Sequence, residues 1–222
     1  MRQKKTRLNA YKNSLLTQDV FAGNSQTKSM KNLFIISGPS GAGEDSIIDG
    51  LAKLLPIEKD IANTTRPIRP GESNGHPYYF ISPEEFRQKI NRGEMIEYAK
   101  AYNGNFYGVT KEELKRITAP GKIGIWKIEY KGVMTAKRLF PNIIAILITA
   151  PLEILEERIR KRDNPTEAFL QERLAYTKEW LKHSDIYDYI VENEEGKLDE
   201  AIQKVFAIIK EHTRPQRFAS EA

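Results

Sequence analysis

The alternation of apolar and polar positions between residues 31 and 211 predicts a parallel sheet covered on both faces by helices. LFIIS (33–37) is apolar almost throughout and reads as a buried strand that runs into a glycine-rich turn, with SIIDGLAKLL (46–55) as the helix that follows. KIGIWKIE (122–129) and NIIAILIT (142–149) predict further central strands, and YDYIVEN (187–193) a last one. PLEILEERIRKR opens a helix at Pro151, and NPTEAFLQERL offers Asn164 as a cap, Pro165 in the first turn and Glu167 at the third position. The final helix sets Leu198, Ala201, Ile202, Val205, Phe206 and Ile209 on one face. Residues 62–110 break the rhythm, with YYFIS, EMIEYAKAY and NFYGV strand-like and SPEEFRQKI a helix opened by a Ser82 and Glu85 capping pair. The fold class expected is α/β, a parallel sheet flanked by helices with a small α+β lobe inserted at 62–110.

Composition narrows the chemistry. There is no cysteine among 222 residues, so a disulfide framework, a thiolate nucleophile and a cysteine zinc site are excluded, and three histidines leave little for metal work. No apolar run approaches the roughly 20 residues of a membrane span, and the start lacks the apolar core of a secretory signal, so the expectation is a soluble, cytoplasmic protein without a membrane partner. The net charge of +5 is uneven: residues 1–31 hold seven Lys or Arg against one acid, which leaves the remainder slightly acidic. The basicity is therefore peripheral, and nucleic acid is not the partner expected of the core. Residues 1–29 read as a basic disordered extension, 30–212 as the folded domain, and 213–222 as a tail.

GPSGAGEDSI (38–47) carries the candidate chemistry. A strand, a G-x-x-x-x-G turn and a helix place backbone N–H groups and a helix N-terminus around an anion, with Gly38, Gly41 and Gly43 allowing close approach. Ser40, Ala42 and Ser46 complete the loop, but Glu44 and Asp45 stand where a phosphate-binding lysine and a metal-binding hydroxyl are expected. A carboxylate about 4 Å from a phosphate charge repels it by roughly 4 kcal/mol at an effective dielectric near 20.

The order of further segments, TTRPIRPGE (64–72), YYF (78–80), GEMIEYA (93–99) and GNFYG (104–108), resembles the guanylate kinase family over roughly residues 31–211. That resemblance implies a phosphotransferase moving the γ-phosphoryl group of ATP to GMP, with ATP and Mg²⁺ as cofactors. It places a GMP-phosphate clamp on Arg66, Arg69, Tyr78 and Tyr107, and guanine-reading carboxylates on Glu97 and Glu129. It also implies a lid at 155–175 with Arg158, Arg162 and Arg173, which together with Arg69 stabilise the transferring charge, and Asn193 near the adenine end. Two hydroxyl positions of the acceptor pocket are lost as Ala62 and Val109, with Thr110 one residue away from the second. Lys127 stands where the family strand carries an acid, and its length allows it to pair with Glu44 or to reach the phosphates. Asp45 is a candidate Mg²⁺ ligand, so that Lys127 and an Asp45-bound metal jointly replace the loop lysine. The alternative is a catalytically dead module that binds GMP or a phosphorylated partner.

Overall fold

The computed structural model describes residues 32–101 and 104–213. The extension at 1–29 and, apart from Thr213, the tail at 213–222 lie outside the described residues. In chain order the elements are β1 (Leu33–Ser37), α1 (Glu44–Ala52), β2 (Ile57–Lys59), β3 (Asn63–Thr64), β4 (Ser73–Asn74), β5 (Pro77–Phe80) and α2 (Pro83–Asn91). They continue as β6 (Met95–Lys100), β7 (Phe106–Thr110), α3 (Lys111–Ile117), β8 (Ile123–Trp126), α4 (Tyr130–Leu139), β9 (Ile144–Thr149), α5 (Leu152–Asp163), α6 (Glu167–Leu181), β10 (Tyr189–Glu192) and α7 (Leu198–Thr213).

Among the described residues, β10-β9-β1-β8-β2 form one sheet whose neighbours all pair in parallel. Side chains of its central strands alternate between two cores. Leu33 and Ile35 enter one and Phe34 and Ile36 the other, and Ala145 and Leu147 are divided likewise from Ile146 and Ile148. A strand buried on both faces has no polar side, which is why these segments read as apolar runs. One face is closed by α1 and α7. They meet where Gly50 has no side chain, since a Cβ there would lie 2.3 Å from Ile202 Cδ1.

A second sheet, β4-β5-β3-β7-β6, forms the inserted lobe. Ala62, Ile96 and Val109 of this lobe share a core with Trp126 and Tyr130, so its floor is fixed against the main sheet. Ser82 caps α2 as expected, accepting from the Glu85 N–H at 3.0 Å.

Several boundaries and elements differ from the sequence expectation. α1 begins at Glu44 rather than Ser46, so both loop acids lie in its first turn, where the helix dipole favours negative charge. Asn164 does not cap α6; it closes α5 in the left-handed conformation (φ 40°), and Thr166 caps α6 by accepting from Phe169 N–H. α4 was not expected from YKGVMTAKRL. Its inward face is Tyr130, Val133 and Ala136, so tertiary burial sets a helix whose glycine and β-branched residues favour it weakly.

Candidate active site

A cleft of about 490 Å³ opens between the glycine-rich loop, the lobe and the α5–α6 pair. The loop is shaped by two left-handed glycines, Gly41 (φ 90°) and Gly43 (φ 89°). A side chain at Gly43 would meet Asn193 Nδ2 at 2.5 Å, and one at Gly41 the Leu155 carbonyl at 2.9 Å. Inside the loop, Ala42 N–H is taken by the Pro39 carbonyl at 3.0 Å, and the Ala42 side chain is fully buried. Gly38, Ser40, Gly41, Glu44 and Asp45 line the cleft, whereas Ser46 is exposed on α1 outside its lining.

Lys127, at the end of β8, lines the same cleft, but its ammonium pairs with Asp45 rather than with Glu44: Nζ donates to Asp45 Oδ2 at 2.7 Å. The other carboxylate oxygen accepts from Lys59 Nζ at 3.0 Å. The Asp45 side chain is more than half exposed, so desolvation costs its charge little, and the two ammonium groups hold its carboxyl down at about 2. Burial opposes the charge on Lys127, and Tyr78, Asp45 and Glu44 around it keep it protonated well above the ordinary lysine range. Each carboxylate oxygen of Asp45, the residue expected to ligate the metal, is thus bonded to an ammonium group.

Glu44 behaves differently from its neighbour. Desolvation pushes its carboxyl up to about 7, against the pull of Lys127. Near neutrality Glu44 is therefore charged only part of the time, which lessens the repulsion expected from two anionic loop positions. Beneath the loop, buried Asp60 accepts the Lys127 backbone N–H at 2.6 Å and fixes the strand end that carries the lysine. Ser37 Oγ donates to the Ile128 carbonyl at 2.5 Å and meets Tyr187 Oη at 3.0 Å, tying β1 to the same strand end.

On the lobe side Arg66 is 7% exposed and holds Glu72 through two bonds, Nη1 to Oε2 at 2.7 Å and Nη2 to Oε1 at 2.6 Å. Its guanidinium carbon lies 5.3 Å from the Tyr78 ring centroid and 5.2 Å from that of Phe80. With one further bond to the Pro67 carbonyl, Arg66 retains two of its five N–H donors for a ligand. Exposed Arg69 has its backbone N–H on Glu72 Oε2 at 2.9 Å, and the rings of Tyr78 and Tyr107 meet edge to face at 5.7 Å. Deeper in, Glu97 and Glu129 both line the cleft. Burial, aided by the charges of Glu129 and Asp60, pushes Glu97 up to about 8. Burial also raises Glu129, while the Tyr176 hydroxyl donating to it at 2.7 Å pulls the other way. Ala62 and Val109 give this wall an apolar surface. Thr110 does not replace the lost hydroxyl: it caps α3, accepting from Glu113 N–H at 3.1 Å, and stands outside the cleft lining.

The arginines of the α5–α6 pair divide into two sets. Arg162 and Arg173 line the cleft, and both hydrogen-bond Asp163, while Arg162 Nη2 also reaches Ser40 Oγ at 3.1 Å. Arg158 lies behind the loop, donating to the carbonyls of Gly41 at 3.3 Å and Asn193 at 3.0 Å and pairing with Glu195. Asn193 is there too, 5% exposed, its Nδ2 donating to the Ala42 carbonyl at 2.8 Å. Both residues brace the loop from outside the cleft lining. Side chains that sequence reasoning did not single out are Lys59, Asp60, Glu72, Asp163 and Tyr176. Of these, Tyr176 was legible in principle, three positions beyond Arg173 on one helix face, and Glu72 lies inside a quoted motif. Lys59 gave no local signal, being joined to Asp45 only by the fold.

The family model described as guanylate kinase matches residues 30–212. The curated guanylate kinase of Idiomarina loihiensis is 37% identical over 168 residues, covering 74% of this chain and 80% of its own. That of Coxiella burnetii is 37% identical over 180 residues, covering 80% and 86%. The crystal structure of guanylate kinase from Anaplasma phagocytophilum superposes with a TM-score of 0.65 at 26% identity, covering 83% of this chain and 87% of that one.

Proposed function

The chain belongs to the guanylate kinase family, and on that premise we propose that it transfers the γ-phosphoryl group of ATP to GMP through a rewired phosphate loop. The observation that carries this reading is one cleft lined both by the donor set (the loop, Lys127, Arg162, Arg173) and by the acceptor set (Arg66, Arg69, Tyr78, Tyr107, Glu97, Glu129). An oxygen of the GMP phosphate attacks the γ-phosphorus in line. The bond from that phosphorus to the β,γ-bridging oxygen breaks, and ADP leaves with GDP as the product. Arg66 and Arg69, with the two tyrosine hydroxyls, hold the acceptor phosphate, and the guanidinium fork suits a dianion. Glu97 and Glu129 accept from the N–H edge that distinguishes guanine from adenine. Arg162 and Arg173 meet the charge that spreads over the transferring group, so catalysis is positioning and electrostatic stabilisation.

Both Asp45 oxygens are engaged by ammonium groups, and the protein-side cation placed against the donor phosphates on this reading is Lys127. Its ammonium already lines the cleft, and turning from Asp45 to a phosphate needs only side-chain rotation. Arg158 and Asn193 act on this reading by holding the loop in its phosphate-binding shape.

The test is GMP-dependent conversion of ATP to ADP by the purified full chain, against a control without GMP and a panel of other nucleoside monophosphates. Turnover with GMP above the rest is expected. Turnover that prefers another base locates the change in the apolar wall of Ala62 and Val109, and a folded protein that binds GMP without any turnover is a recognition module. The Asp45 ion pairs favour that second reading, since they can serve as a purely structural tie.

A further inference from the structure

We propose that Lys59 is a positioning residue of the donor site, holding Asp45 neutralised while Lys127 leaves it for the donor phosphates; the proposal rests on the kinase reading above. Asp45 is bonded at one oxygen to Lys127, at 2.7 Å, and at the other to Lys59, at 3.0 Å. The two lysines are not equivalent. Lys127 lines the cleft, whereas Lys59 stands outside its lining, on the edge strand β2 opposite Ile125 of β8. A single ammonium cannot serve Asp45 and a phosphate in full at once. When Lys127 turns to the phosphates, a lone Asp45 would be a bare carboxylate beside them, and its repulsion would cancel much of what Lys127 contributes. With Lys59 in place, Asp45, whose side chain is 58% exposed, remains half of an ion pair, and less of the charge of Lys127 is offset. The loop lysine is thereby replaced by a lysine that moves and a lysine that stays.

The experiment measures the affinity of a non-hydrolysable ATP analogue and, separately, of GMP for the full chain and its Lys59→Met, Lys59→Arg, Asp45→Asn and Lys59→Met/Asp45→Asn variants, with thermal unfolding as a check on folding. The expected result is about tenfold or greater loss of analogue affinity in Lys59→Met, with GMP affinity unchanged. Lys59→Arg should restore it. In the Asp45→Asn background the Lys59→Met change should be silent within about twofold, since no charge is left to neutralise. Two results overturn the proposal: undiminished analogue affinity in Lys59→Met, or an equal loss in both backgrounds, which would make Lys59 a direct phosphate contact. If the unaltered chain binds GMP but no analogue, the kinase reading falls and the proposal falls with it, whereas failure of the variants alone leaves the kinase reading standing.

Discussion

On the kinase reading, Glu97 is the residue whose protonation state bears most on acceptor binding. Burial sets its carboxyl at about 8, so below that pH it carries a proton, and a protonated acid cannot accept from both guanine N–H groups. GMP affinity should therefore rise with pH and level off above 8, with up to about tenfold lost for each unit of acidification below it. Calorimetric titration of GMP between pH 6 and 9 checks this, and Glu97→Gln should flatten the profile at its weak end. A profile that is flat in the unaltered protein contradicts the role. Glu72 makes a complementary prediction. Its carboxylate, held at about 2 chiefly by its bonds to Arg66, orients that guanidinium. Glu72→Ala should raise the KM for GMP by about tenfold and leave ATP-analogue affinity intact, because an unoriented side chain repays its rotamer entropy on binding.

At the scale of elements, the loop between β1 and α1 depends on backbone that only glycine adopts without strain. Gly43→Ala forces a side chain into a φ of 89° and against Asn193 Nδ2, and should cost about 1–3 kcal/mol of stability. Its larger effect should be on donor binding, read as analogue affinity against unfolding temperature. This turn was legible in the sequence, since spacing of glycines after an apolar strand has a local cause. The same holds for β1, β9, β10 and the Ser82 cap. Less legible were α4, which tertiary burial holds, and the boundary between α5 and α6, where Asn164 and Thr166 compete for the same capping role. The short strands β2, β3 and β4 carry too few residues to set a period and gave no signal.

For the molecule as a whole, carboxyls with opposite shifts set the pH dependence of stability. Glu44 and Asp60 at about 7 and Glu97 at about 8 are raised above their unfolded values near 4, so the folded state holds protons that the unfolded state releases. Their contribution is complete below about pH 4 and is lost as pH rises through 7 and 8. Asp45 and Glu72, both lowered to about 2, contribute above about pH 4 and lose that as pH falls toward 2. Thermal unfolding should accordingly peak near pH 4 to 5, decline from there to about pH 8 and level off above it, and a stability that climbs between pH 5 and 8 contradicts the assignment. The candidate site was legible as a set of residue types to the extent that the arginines, tyrosines and glutamates expected of an acceptor pocket line one cleft. What the sequence withheld was charge pairing: Lys127 meets Asp45, Lys59 joins them from an edge strand, and burial quiets Glu44. Each depends on distances that no local pattern encodes. On the kinase reading, cleft-side positive charge has moved from the loop to the end of β8. The affinity of a non-hydrolysable ATP analogue for the unaltered chain and for Lys127→Met, beside that of GMP, tests this. A loss of about a hundredfold or more in analogue affinity with GMP binding preserved is the result expected of a lysine that carries the donor charge; equal analogue affinity in both proteins would contradict it.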